Sequence, residues 1–152
     1  MSHNPYSYLV PSRFQRHRRS IPSFHTVPVR IRADGWTPLR QAEFIGHLAE
    51  TRSVRAAAER VGMARETAYR LRRKPGAASF RAAWDAALGN VPGNDGTDPA
   101  RKVTLRELQW QVETGLWQVL MRGGRYVGVR RKADDSALLR LLARTGGGRR
   151  RG

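Results

Sequence analysis

The chain has 152 residues, with 29 Lys and Arg against 12 Asp and Glu, a net charge of +17 and no cysteine. That length suits one domain, or a small domain with tails, and the missing thiols exclude disulfides, cysteine zinc sites and thiol catalysis. The charge surplus opposes self-association and attracts polyanions, nucleic acid first and an anionic membrane second; no run of about 18 apolar residues is present to span a bilayer, and no signal-peptide core opens the chain, which fits a cytoplasmic protein.

Residues 1–34 read as a basic, disordered arm. Pro5, Pro11, Pro22 and Pro28 interrupt it, RFQRHRR lies near its middle, and no helical apolar period runs through it. Such an arm either follows a DNA backbone or enters a minor groove, or else only solubilises the chain. Val27, Val29 and Ile31 alternate with Pro and Arg, as a short edge strand would.

A domain over 35–89 follows. Thr37 is placed to cap a helix, and Pro38 fits its first position, where a missing N–H costs nothing. This helix should run to about Glu50, with Ala42, Ile45, Leu48 and Ala49 inward, Phe44 flanking them and His47 a structural histidine. Ser53 caps the next helix, Val54 to Arg60, whose Ala57, Ala58 and Val61 share one small face. Gly62 ends it, because the left-handed conformation of a sharp turn is cheap only for glycine. Met63 points inward, and a strongly basic helix spans about Arg65 to Arg73 on a buried side of Ala68 and Leu71. Pro75-Gly76 stops it. A fourth helix, SFRAAWDAALG, carries Phe80, Ala83, Trp84, Ala87 and Leu88 at helical spacing, a stripe that suits core packing, and Gly89 closes it.

NVPGNDGTDP, residues 90–99, reads as a flexible linker. Residues 100–144 then hold a helix, a hairpin and a last helix. The helix spans Ala100 to about Gly115, with Leu105, Leu108, Val112 and Leu116 on one face. Trp110 lies off that face, toward the hairpin or a second subunit. From Trp117 the apolar period becomes two, through Val119 and Met121 to Gly123-Gly124 and on to Val127 and Val129. A glycine pair between such runs marks a tight hairpin turn, which needs positive φ. The second strand ends at Arg130-Arg131-Lys132. Asp134 or Asp135 caps the last helix, with Leu138, Leu141 and Leu142 inward, and residues 145–152 form a basic tail. The fold class is therefore mainly α: a three- to four-helix domain, a helix, a small β-hairpin and a C-terminal helix.

The small residues, Gly62, the apolar turn residue and the two later apolar positions resemble the helix-turn-helix family over Ser53 to Arg73. That resemblance makes the second helix of the pair the recognition helix. Its outward residues are then Arg65, Glu66, Tyr69, Arg70 and Arg73, with Lys74 after it and Arg55 on the preceding helix. Arginine at such positions forks onto guanine or holds phosphate, and tyrosine reaches phosphate or a thymine methyl. Ala64 departs from the pattern where a capping Ser or Thr is usual, which weakens the helix start by roughly 1 kcal/mol. Arg52 stands where Gly is common.

At larger scale, GWTPLRQAEFIGHLAETRSVRAAAERVGMARETAYRLRRKPGAASFRAAWDAAL resembles the DNA-binding module of phage terminase small subunits, and MRGGRYVGVRRKADDSALLRLLAR resembles a hairpin-and-helix ending of such bacterial and prophage proteins. The resemblance implies recognition of double-stranded DNA and delivery of it to a terminase large subunit; a homo-oligomer is expected because a single helix-turn-helix offers few base contacts. A transcriptional regulator is the alternative role. An RNA-binding or interaction protein, stacking bases on Tyr126 beside Arg130 and Arg131, is the alternative from another class.

No catalytic constellation is visible. His3, His17, His25 and His47 form no pair at metal-ligand spacing, no phosphate-binding GxxxxGK[ST] loop exists, and Asp134-Asp135 is explained by a helix cap. The chain is therefore expected to be no enzyme and to need no cofactor or metal.

Overall fold

The computed structural model of the chain describes residues 21–90 and 102–146. The first part of the expected arm, all but the first residue of the expected linker and the end of the basic tail lie outside these. Among the described residues the elements run α1 (Pro38–Thr51), α2 (Val54–Arg60), α3 (Arg65–Arg72), α4 (Ala78–Ala87), α5 (Leu105–Thr114), β1 (Leu116–Arg122), β2 (Arg125–Lys132) and α6 (Asp135–Gly146). The chain is mainly α with one antiparallel hairpin, the expected class.

Helix α1 is the axis of the fold, with α2 and α4 against it and the hairpin against it as well. The Thr37 hydroxyl accepts from the Arg40 N–H at 3.2 Å, and Pro38 occupies the first turn. Ala42, Ile45 and Leu48 are fully buried as expected. Phe44 does not flank this face; it is itself fully buried, 5.4 Å from the Trp36 ring, 5.1 Å from Trp84 and 6.2 Å from Phe80. Aromatic pairs at such spacing contribute beyond the area they bury.

Residues 21–29 correct the reading of an arm, while 30–34 are exposed. Phe24 and Val27 are fully buried, and Ile21 nearly so. Phe24 exchanges two backbone hydrogen bonds with Trp117 of β1, each 2.9 Å, and its ring meets Phe80 edge-on. The His25 N–H donates to the Ser79 hydroxyl at 2.8 Å. The buried Gln41 side chain clasps the segment: its Oε1 accepts from the Val27 N–H at 2.6 Å, and its Nε2 donates to the carbonyls of Val27 and Trp36 at 3.1 and 3.0 Å. Proline stops this segment from being a helix but not from lying extended in a groove whose walls satisfy its backbone. The strand expected over Val27 to Ile31 is absent; one bridge at Phe24 replaces it, and Ile31 is exposed.

Helix α5 starts at Leu105 rather than Ala100, because the Thr104 hydroxyl caps it by accepting from the Glu107 N–H at 3.1 Å. Leu108 is its buried apolar residue; Leu105 is exposed, and Leu116 already belongs to β1. The Trp110 indole is tied to the segment before α1: its Nε1 donates to the Thr26 carbonyl at 2.9 Å. Gly115, at φ 75°, has no room for a side chain, since a Cβ would lie 2.4 Å from the Lys132 carbonyl oxygen.

Strands β1 and β2 pair from Leu116 with Lys132 to Arg122 with Arg125, with a bulge between Leu120 and Met121. Gly123 and Gly124 hold φ of 58° and 79°, as a two-residue hairpin turn requires. Asp134 caps α6 as expected, its Oδ1 accepting from the Ala137 N–H at 3.0 Å. The inward face expected for α6 is not realised. Ala137 is the buried residue, Leu138 and Leu142 are exposed, and Leu141 is half-buried, because α6 packs on α5 and no further layer of described residues covers its leucines.

Candidate nucleic-acid interface

The candidate interface starts from two short helices and the turn between them. The Ser53 hydroxyl caps α2 by accepting from the Ala56 N–H at 3.2 Å. Ala57 and Ala58 are buried, which lets α3 approach closely. At the other end the Met63 N–H reaches back to the Ala58 carbonyl at 2.9 Å and the Gly62 N–H to the Glu59 carbonyl at 3.0 Å, with Gly62 at φ 74°. This paired closure is the Schellman arrangement, and it takes glycine for its backbone angle. A Cβ at Gly62 would meet nothing within 4 Å, so conformation, not space, selects the residue.

Helix α3 begins at Ala64 with no side-chain cap. Glu66 in its first turn and Arg70 and Arg72 in its last agree with the helix dipole. Ala68 and Leu71 are sunk in the core. Arg65, Glu66 and Arg70 are exposed, and Tyr69 is 38% exposed with its ring 5.4 Å from that of Trp84. The helix closes at Arg73, its C-cap; Arg73 and the following Lys74 are exposed. Glu66, Tyr69, Arg70 and Arg73 thus follow one another at helical steps along one outward stripe.

Arg55 stands apart from that stripe. It is exposed on α2, 3.4 Å from Glu59, a pair that solvent leaves with little strength. It meets Arg65 and Glu66 across an open cleft of about 360 Å³, which Glu59, Met63 and Ala64 complete. Lys74 lines a different concavity, a basin of about 630 Å³ shared with Arg30, Arg106 and Trp110. The seven candidate residues therefore fall into a cleft group, a stripe and an outlying lysine.

Three interactions that hold α3 in place are not legible in the sequence. The Trp36 Nε1–H donates to the Thr67 hydroxyl at 3.1 Å, and that hydroxyl donates to the Ala64 carbonyl at 2.6 Å. Arg72 lies half-buried with its guanidinium 5.1 Å over the Trp84 ring and 3.1 Å from the Asp85 carboxylate. Arg81 of α4 donates to the Arg72 carbonyl at 3.3 Å. The basic run Arg70 to Lys74 offers no local sign that Arg72 turns inward; only the position of α4 decides it.

The hairpin is joined to this unit through Glu50. Its Oε1 accepts from Arg60 of α2 at 2.9 Å and its Oε2 from the Tyr126 N–H at 2.6 Å. The Arg60 hydrogen bond first, and then that of Tyr126, hold its carboxyl below the usual range. The Tyr126 ring rests on Gly46, where a Cβ would lie 2.2 Å from it, and sits 4.8 Å from the His47 ring. Burial raises the Tyr126 hydroxyl and, with the Arg60 charge, lowers His47. A ring seated this way is engaged with α1 and does not stand free for stacking on a base.

Among the described residues no group of three metal-ligating side chains lies together, and no helix is long and apolar enough to cross a membrane. Comparisons of the chain with protein-family models, with curated proteins and with solved structures find no match in any of the three.

Proposed function

We propose that the protein binds double-stranded DNA, with α3 laid in the major groove and Arg65, Glu66, Tyr69, Arg70 and Arg73 facing the bases and phosphates. The observation that carries this reading is the two-sidedness of α3: Ala68 and Leu71 are buried while the stripe of Tyr69, Arg70 and Arg73 stays outward. Arginine in the groove forks onto guanine and glutamate accepts from cytosine, so both signs of charge have a use there. Arg55 and Lys74 supply phosphate contacts at the margins. The net charge of +17 adds attraction that does not depend on sequence.

The more specific form of the proposal is a packaging factor like a terminase small subunit, acting in the cytoplasm as a homo-oligomer that hands DNA to a terminase large subunit. The alternative role is a transcriptional regulator that binds its operator as a dimer, since a single such helix makes few base contacts. Binding to a purified large-subunit ATPase supports the first; operator occupancy with altered transcription supports the second.

Replacing Arg70 and Arg73 by Ala tests the interface. An arginine that reads a base edge should weaken duplex binding by about 1–3 kcal/mol when truncated. One that holds a phosphate should, on truncation, flatten the log–log salt dependence by about 0.9. Affinity and salt slope both equal to those of the unaltered chain, in an anisotropy titration, reject α3 as the binding element.

A further inference from the structure

The hairpin carries two arginines without partners among the described residues. Arg122 and Arg125 flank the Gly123-Gly124 turn and lie directly opposite each other across the strands. Both are exposed, and neither guanidinium group makes a hydrogen bond or ion pair with any described residue. Like charges set opposite in an antiparallel pair repel, so this pair works against the hairpin that holds it. The other arginines of β2 are treated differently. Arg130 donates to the Gln118 side chain at 2.6 Å, and Arg131 donates to the Glu113 carbonyl at 2.7 Å. Within the hairpin, the turn alone keeps its guanidinium groups unengaged by described residues.

That turn is also firmly mounted. Tyr126, the residue after Arg125, is clasped through its N–H by Glu50 and rests its ring in the gap that Gly46 leaves in α1. Glycine inside a helix is less favourable than alanine, and here its absent side chain is what admits the tyrosine. Because Glu50 also holds Arg60, the hairpin and α2 are fixed to the same carboxylate. A local choice that opposes its own element, on a mount that fixes it, marks a site shaped for something outside the chain.

We infer that the Arg122-Gly123-Gly124-Arg125 turn is a second contact to the same duplex, gripping its sugar–phosphate backbone outside the groove that α3 enters. This rests on the proposed role of α3. Two guanidinium groups on neighbouring strands can each take a backbone phosphate, whose negative charge relieves the repulsion between them. The glycines let the backbone come close where a side chain would stand it off.

The test compares the unaltered chain with Arg122→Gln/Arg125→Gln and, as a control with the same loss of charge, Arg32→Gln/Arg140→Gln. The probe is a mixed-sequence DNA duplex titrated over a range of salt. The turn variant is expected to bind about tenfold more weakly, with its log–log salt slope flatter by about 1.8, the value of two phosphates. The control should change the slope by much less. Thermal melting of the turn variant should be unchanged or raised, since a repulsion is removed. Equal effects of the turn variant and the control overturn the inference, because diffuse charge then explains both. No effect of the turn variant, while Arg70→Ala/Arg73→Ala weakens binding, overturns it and leaves the role of α3 standing. Failure of the unaltered chain to bind the duplex at all removes both.

Discussion

Helices α3 and α6 are alike in composition and opposite in circumstance. Each is short, amphipathic and arginine-bearing, with apolar residues at helical spacing. The two apolar anchors of α3, Ala68 and Leu71, are in the core, and Trp36, Asp85 and Arg81 hold it from neighbouring elements. Helix α6 buries Ala137, while Leu138, Leu139 and Leu142 are 40%, 67% and 55% exposed. Its ties are at its ends: Asp134 meets His25 at the start, and Arg144 donates to the Val103 carbonyl near the finish. Amphipathic spacing thus proposes a buried face, and only a second surface at the right place completes it. The comparison also bears on the proposed role of α3, since a surface that is to match a groove needs its other side fixed.

Truncating each helix's leucine should separate the two most strongly. Leu71→Ala empties a filled site and should cost about 2–5 kcal/mol of stability in a denaturant titration. Leu139→Ala should stay within about 0.5 kcal/mol, as an exposed substitution does. Equal costs would erase the contrast between the helices.

A smaller effect is expected at the start of α6. Burial pushes the Asp134 carboxyl up, but the hydrogen bonds from His25 and the Ala137 N–H, with the charges of His25 and Arg140, outweigh it and leave the group below the usual carboxylate range. Its folded value therefore lies below its unfolded one. The ionised group contributes stability above the ordinary carboxylate range, and that contribution disappears as pH falls through the folded value. Asp134→Ala should cost about 1 kcal/mol at neutral pH through removal of the cap and speed amide exchange in α6. Asp134→Asn should retain the cap yet flatten the acid side of the stability profile. An unchanged acid limb would show that the charge at this end has no hold on the helix.

An effect of similar size and opposite sign is expected at the uncapped start of α3. Ala64→Ser supplies an oxygen to a free N–H of the first turn and should raise stability by about 1 kcal/mol, seen as a higher melting temperature with duplex binding intact. The missing cap is visible in the sequence, as are the other local signals: Thr37-Pro38, Gly62, the glycine pair of the hairpin and Asp134. Each is a backbone requirement that one or two residues meet by themselves. What escapes sequence reasoning depends on distant partners. Phe24 needs Trp117, Val27 needs Gln41, Trp110 needs Thr26 and Arg72 needs Asp85. No spacing within residues 21–34 announces a buried strap, because the strap's regularity is supplied by the groove it fills. Of the candidate interface, the outward positions of α3 follow from its period. The separation of Lys74 from that stripe and the placing of Arg55 across a cleft needed the fold.

The proposal that α3 is the surface that meets DNA is tested most directly by amide chemical shifts recorded while a mixed-sequence duplex is added to the labelled full chain. The largest changes should fall on Arg65, Glu66, Tyr69, Arg70 and Arg73, with little change along the leucines of α6. Changes confined to α5 and α6, with α3 unmoved at saturating duplex, would contradict the assignment of α3 to the groove.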